Sequence, residues 1–181
     1  MLDRSLVGLL GGSRGVREAT SRIDAPSRLA GAAADGVDGA SSASRKVWSS
    51  AAGDVVVDSS SLPGRRGLQI GRRLNDGEME GLQLAFNREF ALIYEVGAGR
   101  NGGGGQYLLF SGEKAKVWFP ARGDYRWISH SHPAGFAQHA SAADQNWLRL
   151  MQKNGNPQQT SRVVPLDGPA FQFNVNSNRL P

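Results

Sequence analysis

All three histidines of this 181-residue chain lie within ten residues of one another, as His130, His132 and His139. The residues from Tyr125 to His130 have the composition of a β-strand. In an extended chain, residues two apart point to the same side and lie about 6.6 Å apart. Two imidazoles at that spacing can bind a single metal ion, so His130 and His132 are candidate metal ligands.

A third candidate ligand lies on the next predicted element. Pro133 ends the strand, and residues 141–154 are predicted to form a helix with Asp144 in its first turn. Zinc accepts a carboxylate oxygen as readily as an imidazole nitrogen. Three protein ligands leave one coordination position open for water, which is the arrangement of catalytic rather than structural zinc sites.

The same residues also fit a purely structural explanation. Ser141-Ala-Ala-Asp144 has the pattern of a helix capping box, and His-x-His is common at strand ends without a metal. The two explanations are compatible, because an acid in the first helical turn can face a cleft. We expect His139 at the rim of the site; if it completed the zinc shell, the site would be structural.

At these residues the sequence resembles the JAMM metalloproteases, also called JAB or MPN-plus domains. Their signature is an upstream glutamate, then His-x-His-Pro, a spacer, and Ser-x-x-Asp. His130-Ser-His-Pro133 and Ser141-Ala-Ala-Asp144 match it. Eight residues separate His132 from Ser141, one more than the usual spacing, and Ala140 stands where a proline is common.

The resemblance also implies a position for the upstream glutamate, after a helix and before the first strand of a hairpin. Glu89 is in that place, directly before the predicted strand at residues 90–96. Glu95, on the same strand, and Glu113, at a turn, are poorer candidates by position. An ordinary acid at a helix end is the structural alternative for Glu89.

What the resemblance implies about function follows residue by residue. His130, His132 and Asp144 would bind Zn²⁺, and Glu89 would act as general base on the water that attacks the substrate. Ser141 would donate a hydrogen bond to the oxyanion. The expected reaction is hydrolysis of a peptide or isopeptide bond, with a peptide or a ubiquitin-like protein as substrate.

Similar bacterial domains occur at the C-termini of RHS-type or polymorphic toxin proteins. That likeness implies a toxin or processing module, with an immunity or carrier protein as partner. Such a module would act in the cytoplasm or be secreted as part of a larger effector. The first residues contain a short apolar patch, but Asp3 interrupts it, so we expect no signal peptide.

The elements that must position these residues can be predicted from hydrophobic periodicity. Together they predict an α/β fold, and the resemblance implies a JAMM-like mixed, mostly antiparallel sheet flanked by helices. Trp118, Trp127 and Trp147 have the spacing of core residues. The predicted elements are a helix capped by Asn75 or Asp76 and running to Arg88, a helix at 141–154, and strands at 90–96, 106–111, 114–119, 125–130, 160–165 and 170–175.

The first part of the chain has a different composition. Residues 1–74 are rich in Ala, Gly, Ser, Asp and Arg, and we expect a poorly ordered, flexible leader or linker there, followed by the metallopeptidase domain at residues 75–181. Lys and Arg exceed Asp and Glu by 21 to 16 over the whole chain. Most of that excess lies before residue 76, so the predicted domain is nearly neutral and we expect no nucleic-acid partner.

Composition excludes several classes of function. The chain has no cysteine, which excludes disulfide frameworks, thiol catalysis and Cys-ligated zinc. It has no run of about 18 apolar residues, so we expect no membrane partner. Two alternatives stay open: a RadC-like relative linked to DNA metabolism, and a non-catalytic JAB-type interaction scaffold.

Overall fold

A computed structural model describes residues 45–97, 103–135 and 138–180. No helix among these residues has the length and apolarity needed to cross a bilayer. Two short 3₁₀ turns, Ser59–Ser61 and Gly64–Arg66, join the early strands. The other elements are β1 (Val47–Ser49), β2 (Val56–Asp58), β3 (Leu68–Ile70), α1 (Asp76–Phe86), β4 (Phe90–Val96), β5 (Gly105–Ser111), β6 (Tyr125–His132), α2 (Ala142–Lys153), β7 (Thr160–Pro165) and β8 (Phe171–Asn174).

The main sheet has six strands in the order β3-β5-β4-β6-β7-β8. All neighbouring pairs are antiparallel except β6 and β7, which are parallel and joined through α2. A parallel pair requires such a crossover connection, whereas β4 and β5 form a simple hairpin. The predicted α/β fold with a mixed, mostly antiparallel sheet is therefore confirmed.

Both faces of the sheet are covered, and the central strand β4 reflects this. Phe90 and Leu92 pack in one core with α1, while Ala91 and Ile93 pack in a second core with α2, and all four are fully buried. A strand buried on both faces has a continuous apolar sequence rather than an alternating one. The run of apolar residues in β4 therefore indicates its central position.

A β-bulge in β6 orients the residues that follow it. Leu92 pairs with Ser129 and the next residue, Ile93, pairs with Trp127, so Ile128 is an extra residue on β6. Residues three apart normally point to opposite faces of a sheet, but the bulge places Trp127 and His130 on the same face, with ring centroids 4.7 Å apart. Because of this bulge, the two histidines share a face with the core that packs against α2.

The predicted boundary at residue 75 is wrong for the described part of the leader. Residues 45–74 form β1, β2 and β3, and β3 is an edge strand of the main sheet. Val55, Val57, Ile70 and Leu74 are buried in the core around α1. Each strand has only three residues, too few for a hydrophobic period to be detected. The rest of the predicted leader, residues 1–44, lies outside the described residues.

The predicted strand at residues 114–119 is also wrong. The chain turns there, with a single β-bridge between Glu113 and Lys116, and then continues without regular structure. A Cβ atom on Gly112 would lie 1.8 Å from the backbone oxygen of Lys116, so the turn folds back tightly against that glycine. Residues 115–119 of this segment line a cavity instead.

The two helices differ from expectation only in detail. Asn75 caps α1 in a full capping box with Glu78, and Asn87 ends the helix in the left-handed region (φ 52°), before the predicted end at Arg88. In α2 the inner face is formed by Leu148 and Met151. Leu150 is 39 % exposed.

Candidate metal centre

Strand β6 presents two imidazoles side by side at its C-terminal end. His130 and His132 are both buried, and their Nε2 atoms lie 3.0 Å apart. His130 is held between the rings of Trp127 and Phe173, whose centroids lie 4.7 and 5.9 Å from its own. The strand and its aromatic neighbours thus fix both imidazoles on one side of the sheet.

The N-terminus of α2 brings a carboxylate to the same place. Ser141 is the N-cap, and its Oγ accepts a hydrogen bond from the Asp144 backbone N–H at 3.1 Å. In return, the Ser141 backbone N–H and hydroxyl each donate to Asp144 Oδ2 at 2.7 Å. The capping box that the sequence predicts for Ser141 and Asp144 is therefore present. It also orients the Asp144 side chain toward the histidines.

The spacing of the three side chains suits a tetrahedral ion. Asp144 Oδ1 lies 3.3 Å from His130 Nε2, and Asp144 Oδ2 lies 3.5 Å from His132 Nε2. Two ligands bound to zinc at about 2.0–2.1 Å and a tetrahedral angle lie about 3.3 Å apart. The observed separations cluster around this value, and the donor set of two imidazoles and one carboxylate is typical of zinc sites. The residues therefore fit a zinc ion.

The protonation states of these groups also favour a cation. Burial lowers the pKa of His130 below its ordinary value, so its imidazole is neutral at pH 7. Burial alone would raise the pKa of Asp144, but its interactions with His130, His132 and Ser141 outweigh that effect and hold the pKa well below its usual range. Neutral imidazole and ionised carboxylate are the forms that bind metals.

Glu89 lies in the short segment between α1 and β4 and is 7 % exposed. Burial raises its pKa to about 8, with the charge of Asp144 acting in the same direction. An electrostatic interaction with His132 and an interaction with the backbone of Val117 act against the increase. A carboxyl group with a pKa close to neutral can both accept and donate a proton at physiological pH.

One cavity of about 180 Å³ connects these groups. The predicted residues Glu89, His132, Ser141 and Asp144 line it, and His130 lies directly behind His132 and Asp144. The other lining residues are Ala115, Lys116, Val117, Trp118, Phe119, Trp127, His139, Ala143 and Trp147. The structure thus brings all five predicted site residues together.

The remaining candidates have other positions. His139 is exposed at the edge of the cavity, and it is not part of the group of mutually close ligand atoms found among the described residues. Glu95 accepts a hydrogen bond from Gln106 and pairs with Arg122, while Glu113 forms the bridge to Lys116. Neither of these glutamates lines the cavity.

Sequence reasoning missed most of the cavity wall. Trp127 is buried in the core as expected, but Trp118 and Trp147 are only partly buried and face the cavity together with Phe119. Lys116 was not predicted to be near the site. The only available signal was the alternation of residues 114–119, which we interpreted as a strand.

No family model, curated protein or solved structure matches this chain.

The buried Glu89 predicts how the stability of the metal-free protein depends on pH. Its pKa is raised from 4.5 to about 8, so the folded state binds this proton more tightly than the unfolded state. The resulting stabilisation is complete below the unfolded pKa and is lost as the pH rises toward 8. Relative to Glu89→Gln, the free energy of unfolding of the wild type should fall by about 1.4 kcal/mol per pH unit between these two values.

Denaturant unfolding of both proteins in the presence of a chelator would measure this difference. The comparison isolates Glu89, since every other titrating group is common to both proteins. Parallel stability curves across this pH range would mean that Glu89 titrates normally.

Proposed function

We propose that this protein is a metallohydrolase that uses Zn²⁺ to cleave a peptide or isopeptide bond. One observation carries the proposal: two imidazoles and a carboxylate, whose ligand atoms all lie within 4.8 Å of one another, meet beside a cavity that also contains a buried carboxyl group whose pKa is raised to about 8. The resemblance to the JAMM signature supports the same reaction. A structural zinc site would not need the additional buried acid.

His130, His132 and Asp144 would hold the zinc ion, each through one ligand atom. When bound, zinc would lower the pKa of a water in its open coordination position toward about 7 and act as a Lewis acid toward the substrate carbonyl. His130 keeps this side of the site closed to solvent, since it is 1 % exposed. The open side faces the cavity, where a substrate can enter.

Glu89 would act as the general base. Its carboxylate accepts a proton from the attacking water and then donates it to the nitrogen of the leaving amine, so the proton inventory balances over one turnover. A base of nearly neutral pKa suits both steps, and such proton transfer contributes about 10²–10⁴-fold to a reaction rate.

Ser141 would stabilise the oxyanion of the tetrahedral intermediate. Its hydroxyl lines the cavity and donates to Asp144 Oδ2 in the absence of substrate. Rotation about the Cβ–Oγ bond can redirect that hydrogen toward a substrate oxygen. The Ser141 backbone N–H also donates to Asp144 Oδ2, so the aspartate keeps a partner when the hydroxyl turns away.

Ser141→Ala should therefore have two separable effects. Loss of the oxyanion donor should lower kcat by about 10²–10³-fold with a much smaller change in KM. Loss of the N-cap should lower the free energy of unfolding by about 1 kcal/mol. Steady-state kinetics and denaturant unfolding would measure the two effects, and Ser141→Thr, which keeps the hydroxyl, should retain most of both. An unchanged kcat in Ser141→Ala would remove Ser141 from the mechanism.

The biological setting is a further part of the proposal. The likeness to toxin-associated domains favours a toxin or processing module that acts on a peptide or a ubiquitin-like protein. An immunity or carrier protein would be its partner.

The proposed activity can be tested on the full chain with a mixture of peptide substrates and one isopeptide-linked substrate. We expect cleavage by the zinc-loaded protein, its loss on chelation and its return when zinc is added. Mass spectrometry would identify the cleaved bond. Zinc binding without cleavage of any substrate would instead favour the non-catalytic scaffold.

A further inference from the structure

Part of the cavity wall is aromatic. Trp118 and Phe119 come from the segment after β5, and Trp147 comes from α2. The Trp147 ring meets each of the other two edge-to-face, with centroids 5.8 Å apart and interplanar angles of 78° and 81°. Contacts of this kind hold aromatic rings in fixed orientations. The cavity therefore offers a preformed apolar surface beside the proposed zinc site.

A cation lies at the edge of this aromatic surface. The Lys116 Nζ atom is 4.2 Å from the centroid of the Trp118 ring, and Lys116 itself lines the cavity. The Arg65 guanidinium lies 5.8 Å from the same ring. No ion pair joins either cation to a carboxylate within residues 45–97, 103–135 and 138–180. A ligand with a negative charge would therefore be attracted here without competition from an internal partner.

The size of the cavity limits what can enter it. Its volume of about 180 Å³ is below the range of about 300–1,000 Å³ that is usual for whole small-molecule ligands. One large side chain fills such a space. A substrate residue that carries both an apolar side chain and a negative charge can contact the aromatic wall and Lys116 at the same time. A residue with an apolar side chain has a carboxylate of its own only at the C-terminus of a chain.

We propose that the cavity binds the C-terminal residue of a peptide substrate, with an aromatic or large aliphatic side chain against Trp118, Phe119 and Trp147 and its α-carboxylate at Lys116. This proposal rests on the proposed hydrolase function and narrows it to removal of the last residue. The water oxygen adds to the carbonyl carbon of the preceding residue, and the C–N bond breaks. The released amine of the last residue takes the proton from Glu89, so atoms and charges balance.

The test is a binding measurement, which separates this proposal from the hydrolase proposal. N-acetyl-phenylalanine, its amide and N-acetyl-alanine are titrated into the 181-residue chain, with and without zinc, by isothermal calorimetry. We expect the free acid of phenylalanine to bind about tenfold or more tightly than its amide, because the amide lacks the charge that Lys116 recognises. It should also bind about tenfold or more tightly than N-acetyl-alanine, which lacks the apolar ring.

Variants identify the residue responsible for each of the two preferences, acid over amide and phenylalanine over alanine. Lys116→Met should abolish the preference for acid over amide, and Trp147→Ala should abolish the preference for phenylalanine over alanine. Lys114→Met, a change at a nearby lysine that does not line the cavity, should preserve both. If thermal melting shows that Trp147→Ala does not fold, Trp147→Phe is used instead, because it keeps an aromatic ring. This variant should bind phenylalanine more weakly without changing the preference for the free acid over the amide.

Equal binding of acid and amide, or no saturable binding of either in the millimolar range, would overturn the proposal. So would preferences that persist in both Lys116→Met and Trp147→Ala. Tighter binding of a peptide with an internal phenylalanine than of the C-terminal form would assign the cavity to an endopeptidase instead. Zinc content is measured on the same samples, so that failure of the metal site and failure of the subsite are separate results.

Discussion

Glu89→Gln should lower the kcat of peptide hydrolysis by about 10²–10⁴-fold while the protein still binds zinc, which is the range that proton transfer contributes. The amide of glutamine has nearly the size and shape of the carboxyl group but cannot accept the proton of the attacking water. Glu89 lines the cavity, but it does not belong to the group of three residues whose ligand atoms lie close together. This variant should therefore lose turnover and keep its zinc.

The matched control for this prediction is Glu95→Gln. Glu95 is on β4, six residues after Glu89, and its carboxylate contacts Gln106 and Arg122 outside the cavity. We expect its substitution to leave kcat close to that of the wild type. If Glu89→Gln retained full activity, or if the two variants lost activity equally, Glu89 would not be the general base.

Asp144→Ala should lower the affinity for zinc by more than about 100-fold. Changing a residue that only supports a metal ligand typically costs about 10–100-fold, and Asp144 would itself be a ligand. Its carboxylate, which comes from α2, lies 3.3 and 3.5 Å from the two imidazole Nε2 atoms. A site of two histidines alone would leave half of a tetrahedral shell without protein ligands.

Zinc titration against a competing chelator would measure the affinity, and thermal melting would provide a second readout. Zinc at about 100 times its dissociation constant should stabilise the wild type by about 2.7 kcal/mol, and the same concentration should leave Asp144→Ala nearly unchanged. Asp124→Ala, which removes an exposed carboxylate paired with Arg122, serves as the control and should retain the zinc effect. Equal zinc affinity in the wild type and Asp144→Ala would exclude Asp144 as a ligand.

The features of the fold that could be predicted are those specified by local sequence. Asn75 and Ser141 each begin a helix with an acid three residues later, and both capping boxes are present. The apolar run of β4 identifies a strand buried on both faces. Residues 54–58 have the composition of a short strand, and β2 lies there. The short strands β1 and β3 could not be predicted, because three residues are too few for periodicity and these strands pack against the core around α1.

The ligand group could be predicted from local sequence, whereas the cavity could not. His130, His132 and Asp144 are close in sequence, and their spacing on a strand and a helix is enough to predict that they meet. The β-bulge at Ile128, which sets the face of Trp127 relative to His130, depends on pairing with β4 and has no local signal. The aromatic wall is built from the segment after β5 and from α2, so only the folded structure brings it to the site.

The metal content of the purified protein shows most directly whether this chain binds one metal ion, as we propose. Elemental analysis of wild type, His132→Ala and His139→Ala, each purified and then reconstituted with zinc near neutral pH, would compare the buried histidine with the exposed one. The predicted result is about one zinc per chain in the wild type and in His139→Ala, and almost none in His132→Ala. Absence of zinc from the reconstituted wild type would contradict the account, leaving Ser141 and Asp144 as a helix cap beside two histidines that bind no metal.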